Sequence, residues 1–283
     1  MIFFTDITTN ISNYCMLNIK KYNDNNKNNK KIIFIDPSVY ELKNHAEYSR
    51  IDILHKLVKN LKKNEYITID YPCDMNAYYT GLFIEKSYYN NILYSNIDNY
   101  ICVIQFEFMN YQDFVFQFNR LKKIWENNDK KIIGIGNMCR MLLSAKSHYD
   151  SAILNKNNDL KIISDLENKN LTDKEQKKLQ KSLNRIKKLH EIEFCINVFD
   201  YIKKNVKNKC VHIYGASLTL IKYFVSDLEL NNIFVSVDST KWTKRVHTRI
   251  PLDKAICCRK NTRDIFFLEY INEIKKNNID VIY

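Results

Sequence analysis

Six short runs of apolar, β-branched residues recur along the 283-residue chain, and segments with helical periodicity separate them. Such a run is typical of a strand buried on both faces of a parallel sheet. Strands that alternate with helices at this spacing indicate βαβ units. The runs are KKIIFID, EYITIDY, YICVIQF, KKIIGIG, CVHIY and NIFVSVD, with MIFFTDI as a candidate seventh and KAICC or DVIY as a candidate eighth.

The number of strands decides between two architectures. Eight parallel strands close into a (β/α)8 barrel, whereas fewer strands leave an open, doubly wound sheet as the competing arrangement. The first four runs end at regular intervals, about one βα unit apart, at Asp36, Asp70, Gln105 and Gly136. This regularity predicts an α/β protein with a (β/α)8 barrel that forms a single domain over residues 1–283.

The interval between Gly136 and Gly215 is longer than the others and contains a long amphipathic helix. Thr172 and Glu175 have the spacing of a capping box at its start. Residues 151–209 contain 14 Lys and Arg against 8 Asp and Glu, which is a net charge of +6 and half of the excess of the whole chain. We interpret residues 151–209 as a basic helical insertion in the barrel, with an ordinary solvated helix face as the alternative.

The chain carries 44 Lys and Arg against 32 Asp and Glu, a formal net charge of +12. Such an excess suits a polyphosphate partner, because cations on the protein release the counterions of a nucleic acid. The stretch KWTKRVHTR follows Asp238 and mixes cations with an aromatic ring, a combination that suits phosphate and base contacts. An exposed charged loop is the alternative. The candidate nucleic-acid contacts are Lys241, Trp242, Lys244, Arg245 and Arg249.

The spacing of the cysteines and the hydropathy of the chain limit the metal sites and the cellular location that the sequence predicts. The eight cysteines include no CxxC pair, so neither a zinc site nor another metal site is predicted, and no cofactor motif is present. The opening MIFFTDITTN is too short and too polar for a signal peptide, and no apolar run reaches transmembrane length. We therefore expect a cytoplasmic protein that does not contact membranes.

Polar residues end the predicted strands. Asp36, Asp70 and Asp238 close apolar runs, although removing a carboxylate from water is unfavourable. Parallel α/β folds place their sites at these carboxyl ends. Each residue alone is consistent with a helix cap or a turn, but together they indicate a site. The other strand ends supply Gln105, Gly136, Asn137, Tyr214 and Gly215.

The succession FIDPS, ITIDYP, VIQF, GIGN, HIYGAS, SVDST resembles the tRNA-guanine transglycosylase superfamily, which includes the queuine and archaeosine tRNA-ribosyltransferases. It is most similar to the shorter phage-type enzymes that insert 7-deazaguanine bases into DNA. The likeness runs from about Phe34 to Trp242. It implies a barrel that exchanges guanine for a 7-deazaguanine (preQ0-like) base in nucleic acid, with DNA favoured over tRNA and no cofactor.

The resemblance also implies roles by position. Asp238 matches the nucleophile that attacks C1′ of the target nucleoside, and Asp36 matches the acid/base for the leaving and entering purine. Asp70 and Gln105 match the groups that read the base edge. The remaining matches are substrate-binding positions, namely Gly136 and Asn137 in the base pocket and Tyr214 and Gly215 at the strand end before the nucleophile.

The chain departs from the family pattern in three places. Pro37–Ser38–Val39 replaces the serine–glycine–glycine turn after the acid/base aspartate, and GIG splits the usual paired glycine. The three closely spaced cysteines of the family's zinc site are missing, because Cys257–Cys258 do not supply them. These departures suit a divergent, DNA-directed or viral member, which would act in the host cytoplasm.

Two other functions remain open from the residues alone. One is a barrel hydrolase or metal-dependent phosphoesterase that uses Asp36, Asp70, Asp238 and His212. The other is a non-catalytic nucleic-acid-binding module that keeps the fold and the basic insertion. Sensitivity to a chelator would identify the phosphoesterase, and binding without any base chemistry would identify the module.

Overall fold

Strands and helices alternate along the chain, which confirms the predicted α/β class. The computed structural model describes residues 1–4, 12–18, 30, 32–36, 48–71, 77–138, 146–167, 169–217, 220–222, 228–229, 231–238, 259–276 and 279–283. The described strands are β1 (Ile2–Phe4), β2 (Tyr14–Asn18), β3 (Ile32–Asp36), β4 (Glu65–Ile67), β5 (Cys102–Ile104), β6 (Ile132–Ile135), β7 (Cys210–Ile213) and β8 (Phe234–Asp238).

Helices follow most of these strands. Those within the described residues are α1 (Tyr48–Val58), α2 (Ala77–Leu93), α3 (Tyr111–Glu126), α4 (Lys146–Leu166), α5 (Asp173–Asn205) and α6 (Arg259–Lys275). The predicted capping box at the start of α5 is confirmed, because the Glu175 carboxylate accepts the Thr172 backbone N–H at 3.0 Å. In the part of the chain that the structure describes, no helix has the length and apolarity needed to cross a membrane.

The strands form two parallel sheets. One has the order β1-β8-β7-β6-β5, and the other has the order β2-β3-β4. A parallel bridge between Ile67 and Tyr100 connects the end of β4 to the residues just before β5. We call this contact and the residues that follow it the β4–β5 seam.

Seven of the eight described strands were predicted from the sequence, and the remaining one was not. The eighth described strand is β2, whose sequence YCMLN was not recognised as a strand. DVIY contributes only an isolated bridge between Ile282 and Ile2, and KAICC lies outside the described residues. β2 is short and lies beside Asn- and Lys-rich sequence, so its apolar pattern is weak.

Apolar side chains from both sheets meet in one cluster. This inner cluster contains Phe4, Tyr14, Phe34, Ile101, Val103 and Ile132, which belong to or directly precede β1, β2, β3, β5 and β6. The Phe4 and Phe34 rings stack with centroids 4.0 Å apart, although their strands belong to different sheets. The larger core cluster lies outside the sheet, where α3, α5 and α6 pack on β5 to β8.

α2 presents polar side chains to the sheet at the β4–β5 seam. The Asn91 amide donates to the Val103 carbonyl at 2.8 Å, and its oxygen accepts the Val103 N–H at 3.1 Å. The neighbouring Asn90 donates to the Ile69 carbonyl at 2.9 Å. Buried backbone groups need partners, so these two side chains take the place of a continuous strand ladder.

A buried ion pair holds α4 against α5. The Asp159 side chain is fully buried, accepts from Ser182 Oγ at 2.8 Å and pairs with the Arg185 guanidinium through both carboxylate oxygens. The arginine holds the pKa of Asp159 below its usual value. Three polar groups therefore satisfy one another at the centre of the helix pair.

We expect Asp159→Ala to lower the free energy of unfolding by about 3 kcal/mol, because it leaves a partly buried guanidinium without its partner. Urea denaturation measures the change. Asp165→Ala removes an exposed carboxylate from the same helix and should change stability by less than about 0.5 kcal/mol. Equal effects of the two substitutions would contradict the assigned importance of the buried pair.

Candidate active site at the carboxyl ends of the strands

The predicted polar residues lie at the carboxyl ends of their strands. Asp36 and Asp238 are the last residues of β3 and β8. The remaining positions, Asp70, Gln105, Gly136, Asn137, Tyr214 and Gly215, follow within three residues of the ends of β4, β5, β6 and β7. Because all strands of each sheet are parallel, these residues lie at one edge of their sheet.

Asp70 and Gln105 meet across the β4–β5 seam. Gln105 Nε2 donates to Asp70 Oδ2 at 2.7 Å, so the two residues predicted to read a base are in direct contact. This bond fixes the orientation of the amide, because only its nitrogen can donate to a carboxylate. Gln105 Oε1 is buried and makes no hydrogen bond with the described residues. A carboxylate and a buried carbonyl oxygen thus lie side by side.

The pKa of the Asp70 carboxyl group is higher than that of an ordinary aspartate. Loss of hydration raises its pKa from 3.8 to about 6, and the hydrogen bond from Gln105 lowers the pKa only in part. Its position is fixed by the adjacent backbone, since the Tyr71 N–H donates to Ser87 Oγ of α2 at 2.8 Å. Asp70 therefore titrates near pH 6, and a pKa raised in this way is typical of a functional carboxyl group.

Gly134 in β6 and Gly136 directly after this strand leave space for the Asp70–Gln105 pair and for a tyrosine ring. A Cβ atom on Gly136 would lie 2.6 Å from the Cδ atom of Gln105, within the volume of its amide. A Cβ atom on Gly134 would lie 2.9 Å from the Tyr214 ring and 2.8 Å from a methyl group of Val103. The GIG sequence thus permits the contacts that join β5, β6 and β7 at this edge.

We expect Gly136→Ala to displace the Gln105 amide and raise the pKa of Asp70 above about 6, because the substitution removes the hydrogen bond that lowers it. The cost in stability should be about 1 kcal/mol, since the displaced group is the end of a flexible side chain. A carboxyl NMR titration measures the pKa. Gly81→Ala is the matched control, because no atom lies within 4 Å of its added Cβ. An unchanged Asp70 pKa in Gly136→Ala would contradict the contact.

Asp238 is held by the turn that follows β7. Its Oδ1 atom accepts the Gly215 N–H at 2.8 Å, and Gly215 has the positive φ of 63° that glycine adopts without strain. The Asp238 side chain is 15% exposed, so it is positioned by the protein and still open to a ligand. The Tyr214–Gly215 turn and the β8 carboxylate therefore form one unit.

His212 lies beneath Asp238 on the adjacent strand. Its Nδ1 atom is 3.0 Å from Ser236 Oγ, and its Nε2 atom is 3.4 Å from Asp238 Oδ1. The imidazole is fully buried and packs edge-on against the rings of Phe34 and Tyr214, at 4.8 and 4.4 Å. The Nδ1 atom and the serine hydroxyl share one hydrogen bond, whereas Nε2 faces the carboxylate and forms no hydrogen bond within the described residues.

This row of serine, histidine and aspartate is oriented differently from that of a serine hydrolase. Ser236 is 1% exposed and lies beside the histidine on the adjacent strand, so no substrate can reach its hydroxyl. Asp238 is the exposed member of the row. The arrangement therefore presents a carboxylate to the ligand and uses the serine to orient the imidazole.

Three parts of the predicted site do not take part in the contacts of Asp70 or Asp238 described above. For Asp36 the structure describes the strand position alone, and the basic stretch 241–249 lies outside the described residues. Asn137 is buried at a positive φ of 58°, and its amide donates to the Phe106 carbonyl at 2.6 Å. Its side chain thus supports the strand end, and its role in substrate binding stays a prediction.

The sequence did not reveal that His212, Ser236 and Asp238 form one row. A signal for it was present, because residues two apart in a strand share a face, and adjacent strands align Ser236 with His212. Within the described residues, no group of three or more His, Cys, Asp and Glu side chains could hold a metal ion. Comparison of the chain with protein-family models, curated proteins and solved structures gives no match.

Proposed function

We propose that the chain exchanges bases in nucleic acid, replacing guanine by a 7-deazaguanine through a covalent intermediate on Asp238. The observation that carries the proposal is the pairing of two distinct units at the carboxyl ends of the strands. Asp70 and Gln105 form a base-reading unit, and Asp238, Gly215 and His212 form a nucleophile unit. Their order along the chain is that of the sequence motifs that resemble the transglycosylase superfamily.

The fold proposed to hold these units is a closed (β/α)8 barrel. Its strand order would run β1-β8-β7-β6-β5 through one sheet and β4-β3-β2 through the other, with the Ile67–Tyr100 bridge between them. β1 lies against β2 at the remaining junction, where the Phe4 and Tyr14 rings are 5.8 Å apart. The inner cluster would fill the barrel, and both units would face its open end.

The proposed reaction is a double displacement. An Asp238 oxygen forms a bond to C1′ while the bond from C1′ to N9 of guanine breaks, and the leaving base takes a proton from the acid/base group, assigned to Asp36. The incoming 7-deazaguanine then gives its N9 proton to the same carboxylate, and N9 forms the new bond to C1′. The bond between C1′ and Asp238 breaks with retention of configuration overall.

The base-reading unit suits the edge of a guanine or deazaguanine. Ionised Asp70 accepts two N–H groups, and the buried Gln105 carbonyl oxygen is an acceptor without a partner among the described residues. The 7-deaza position makes no hydrogen bond in this scheme, so both bases fit the same edge. A base within a duplex must leave its stack to reach the unit.

The test uses the purified chain with radiolabelled guanine or 7-deazaguanine and three acceptors: duplex DNA, single-stranded DNA and tRNA. The proposal predicts that label enters a nucleic acid and that excess chelator leaves the rate unchanged. Incorporation into DNA alone would establish the favoured substrate. Absence of label from all three acceptors would contradict base exchange.

Two results would support the alternative functions. Cleavage of a phosphate ester that stops when a chelator is added would indicate a metal-dependent phosphoesterase. Salt-sensitive binding with neither cleavage nor exchange would indicate a non-catalytic binding module. Each result is measured with the same protein and the same nucleic acids, so the three functions are distinguished directly.

A further inference from the structure

The N-terminal half of α5 carries an unusual concentration of cationic side chains. Five lysines lie between the start and the middle of the helix, and we call them the lysine face: Lys174, Lys177, Lys178, Lys181 and Lys188. At 100° per residue they occupy an arc of about 100° on the helix circumference. In the part of the chain described by the structure, none of the five forms an ion pair.

The direction of α5 determines where the lysine face lies relative to Asp70 and Asp238. The helix ends at Asn205 and four residues separate it from the start of β7, so its last turn lies near the amino ends of the strands. Further back, the Phe194 ring packs against Phe106, which directly follows Gln105, with centroids 5.9 Å apart. α5 therefore runs from the carboxyl ends of the strands to their amino ends.

The residues before Phe194 extend beyond the carboxyl ends of the strands. At 1.5 Å per residue, the lysine face begins about 9 Å beyond Phe194 along the helix axis and continues to about 30 Å. This is the side of the sheet where Asp70 and Asp238 lie. The buried Asp159–Arg185 pair holds the projecting part of α5 against α4, so the face has a rigid support.

We propose that the lysine face binds the phosphate backbone of the nucleic acid whose base enters the site. This inference rests on the proposed function for the identity of the ligand. Four of the five lysines are exposed, and the face spans about 21 Å, a length along which one strand of duplex DNA carries roughly six phosphates. A row of ammonium groups tracks a backbone without reading sequence, so the face sets affinity and orientation.

The test compares two variants with equal changes in charge. The first replaces Lys174, Lys177, Lys178 and Lys181 by Gln. The control replaces four other exposed lysines by Gln, and these lie before β4 at the opposite ends of the strands: Lys56, Lys59, Lys62 and Lys63. Fluorescence anisotropy measures the affinity for a 30-base-pair DNA duplex and for a tRNA between 50 and 200 mM salt.

The lysine-face variant should lose at least about tenfold in affinity near 100 mM salt, and the slope of log K against log salt should fall by about 3. The control should change affinity by no more than about twofold, because its lysines lie far from the bound strand. An unchanged slope, or equal losses in both variants, would overturn the proposal. Thermal unfolding midpoints within about 2 °C of the unmodified chain establish that both variants fold.

The two experiments distinguish a failure of this inference from a failure of the proposed function. If label is never incorporated but the lysine-face variant binds more weakly than the control, base exchange is contradicted and the phosphate surface stands. If exchange occurs and the lysine-face variant binds normally, the surface is contradicted and base exchange stands. The affinities for duplex and tRNA show which nucleic acid the face prefers.

Discussion

Asp238→Asn should abolish base exchange, lowering its rate by at least about 1,000-fold, because an amide oxygen is too weak a nucleophile to form the glycosyl intermediate. The variant keeps an oxygen that can accept the Gly215 N–H, which Asp238 accepts at 2.8 Å, so the turn after β7 should persist. Exchange is measured by incorporation of label. The covalent complex between protein and nucleic acid is measured on a denaturing gel, and we expect it to disappear as well.

Two comparisons make this result decisive. Asp238→Ala should give the same loss, which excludes activity recovered by hydrolysis of the introduced amide. Asp129→Asn alters a carboxylate that is 95% exposed and should leave exchange unchanged. Nucleic-acid affinity should remain within about threefold in Asp238→Asn, because the phosphate contacts lie elsewhere. Turnover or covalent adduct in either Asp238 variant would remove Asp238 from the mechanism.

Asp70→Asn should have opposite effects on stability and activity. At pH 7.5 we expect the free energy of unfolding to rise by about 2 kcal/mol, because the variant has no charge to desolvate at the β4–β5 seam. Exchange should fall by about 100-fold, because an amide replaces one acceptor for the base by a donor. Urea denaturation and incorporation of label measure the two effects on the same preparation.

The sign of the stability change follows from the pKa of Asp70. The folded chain binds this proton with a pKa of about 6, whereas the unfolded value is 3.8, so the folded state holds the proton more tightly. The associated stability is fully present below about pH 4 and is lost as the pH rises through 6. Asp70→Asn should therefore match the unmodified protein in acid and exceed it above pH 6.

Asp98→Asn provides a control of opposite sign. The amide of Asn128 holds the pKa of Asp98 below its usual value, so removing that charge should slightly destabilise the fold at pH 7.5. A loss of stability in Asp70→Asn would contradict a partly buried carboxyl group with a raised pKa. Unchanged exchange in the same variant would contradict base reading by Asp70.

The strands were predictable because parallel strands are buried on both faces and leave dense apolar runs in the sequence. The polar residues at their ends were predictable for the same reason, since each one interrupts such a run. Asp70 and Gln105 were both predicted to read the base edge, but the direct hydrogen bond between them was not predicted. The contacts of Asp238 with Gly215 and His212 required the register between β7 and β8, which the sequence does not encode locally.

α2 was not predicted, and its packing explains why. A helix is recognised from apolar residues on its buried face, but α2 directs Asn90 and Asn91 toward the sheet. Its outer surface carries exposed Leu82, Tyr89 and Leu93. The usual pattern is thus reversed over much of the helix. The periodicity of apolar residues therefore does not reveal α2, because side chains that it directs toward the sheet are polar and bind backbone groups.

The Asn91 side chain has a consequence for local motion. It accepts the Val103 amide proton and donates to the Val103 carbonyl, so the protection of this amide against exchange with deuterium depends on the docking of α2. Val103 lies two residues before Gln105, and Asn90 similarly binds the carbonyl of Ile69, directly before Asp70. Undocking of this one helix would release Asp70 and Gln105 together, so we expect α2 and these two residues to open as a single cooperative unit.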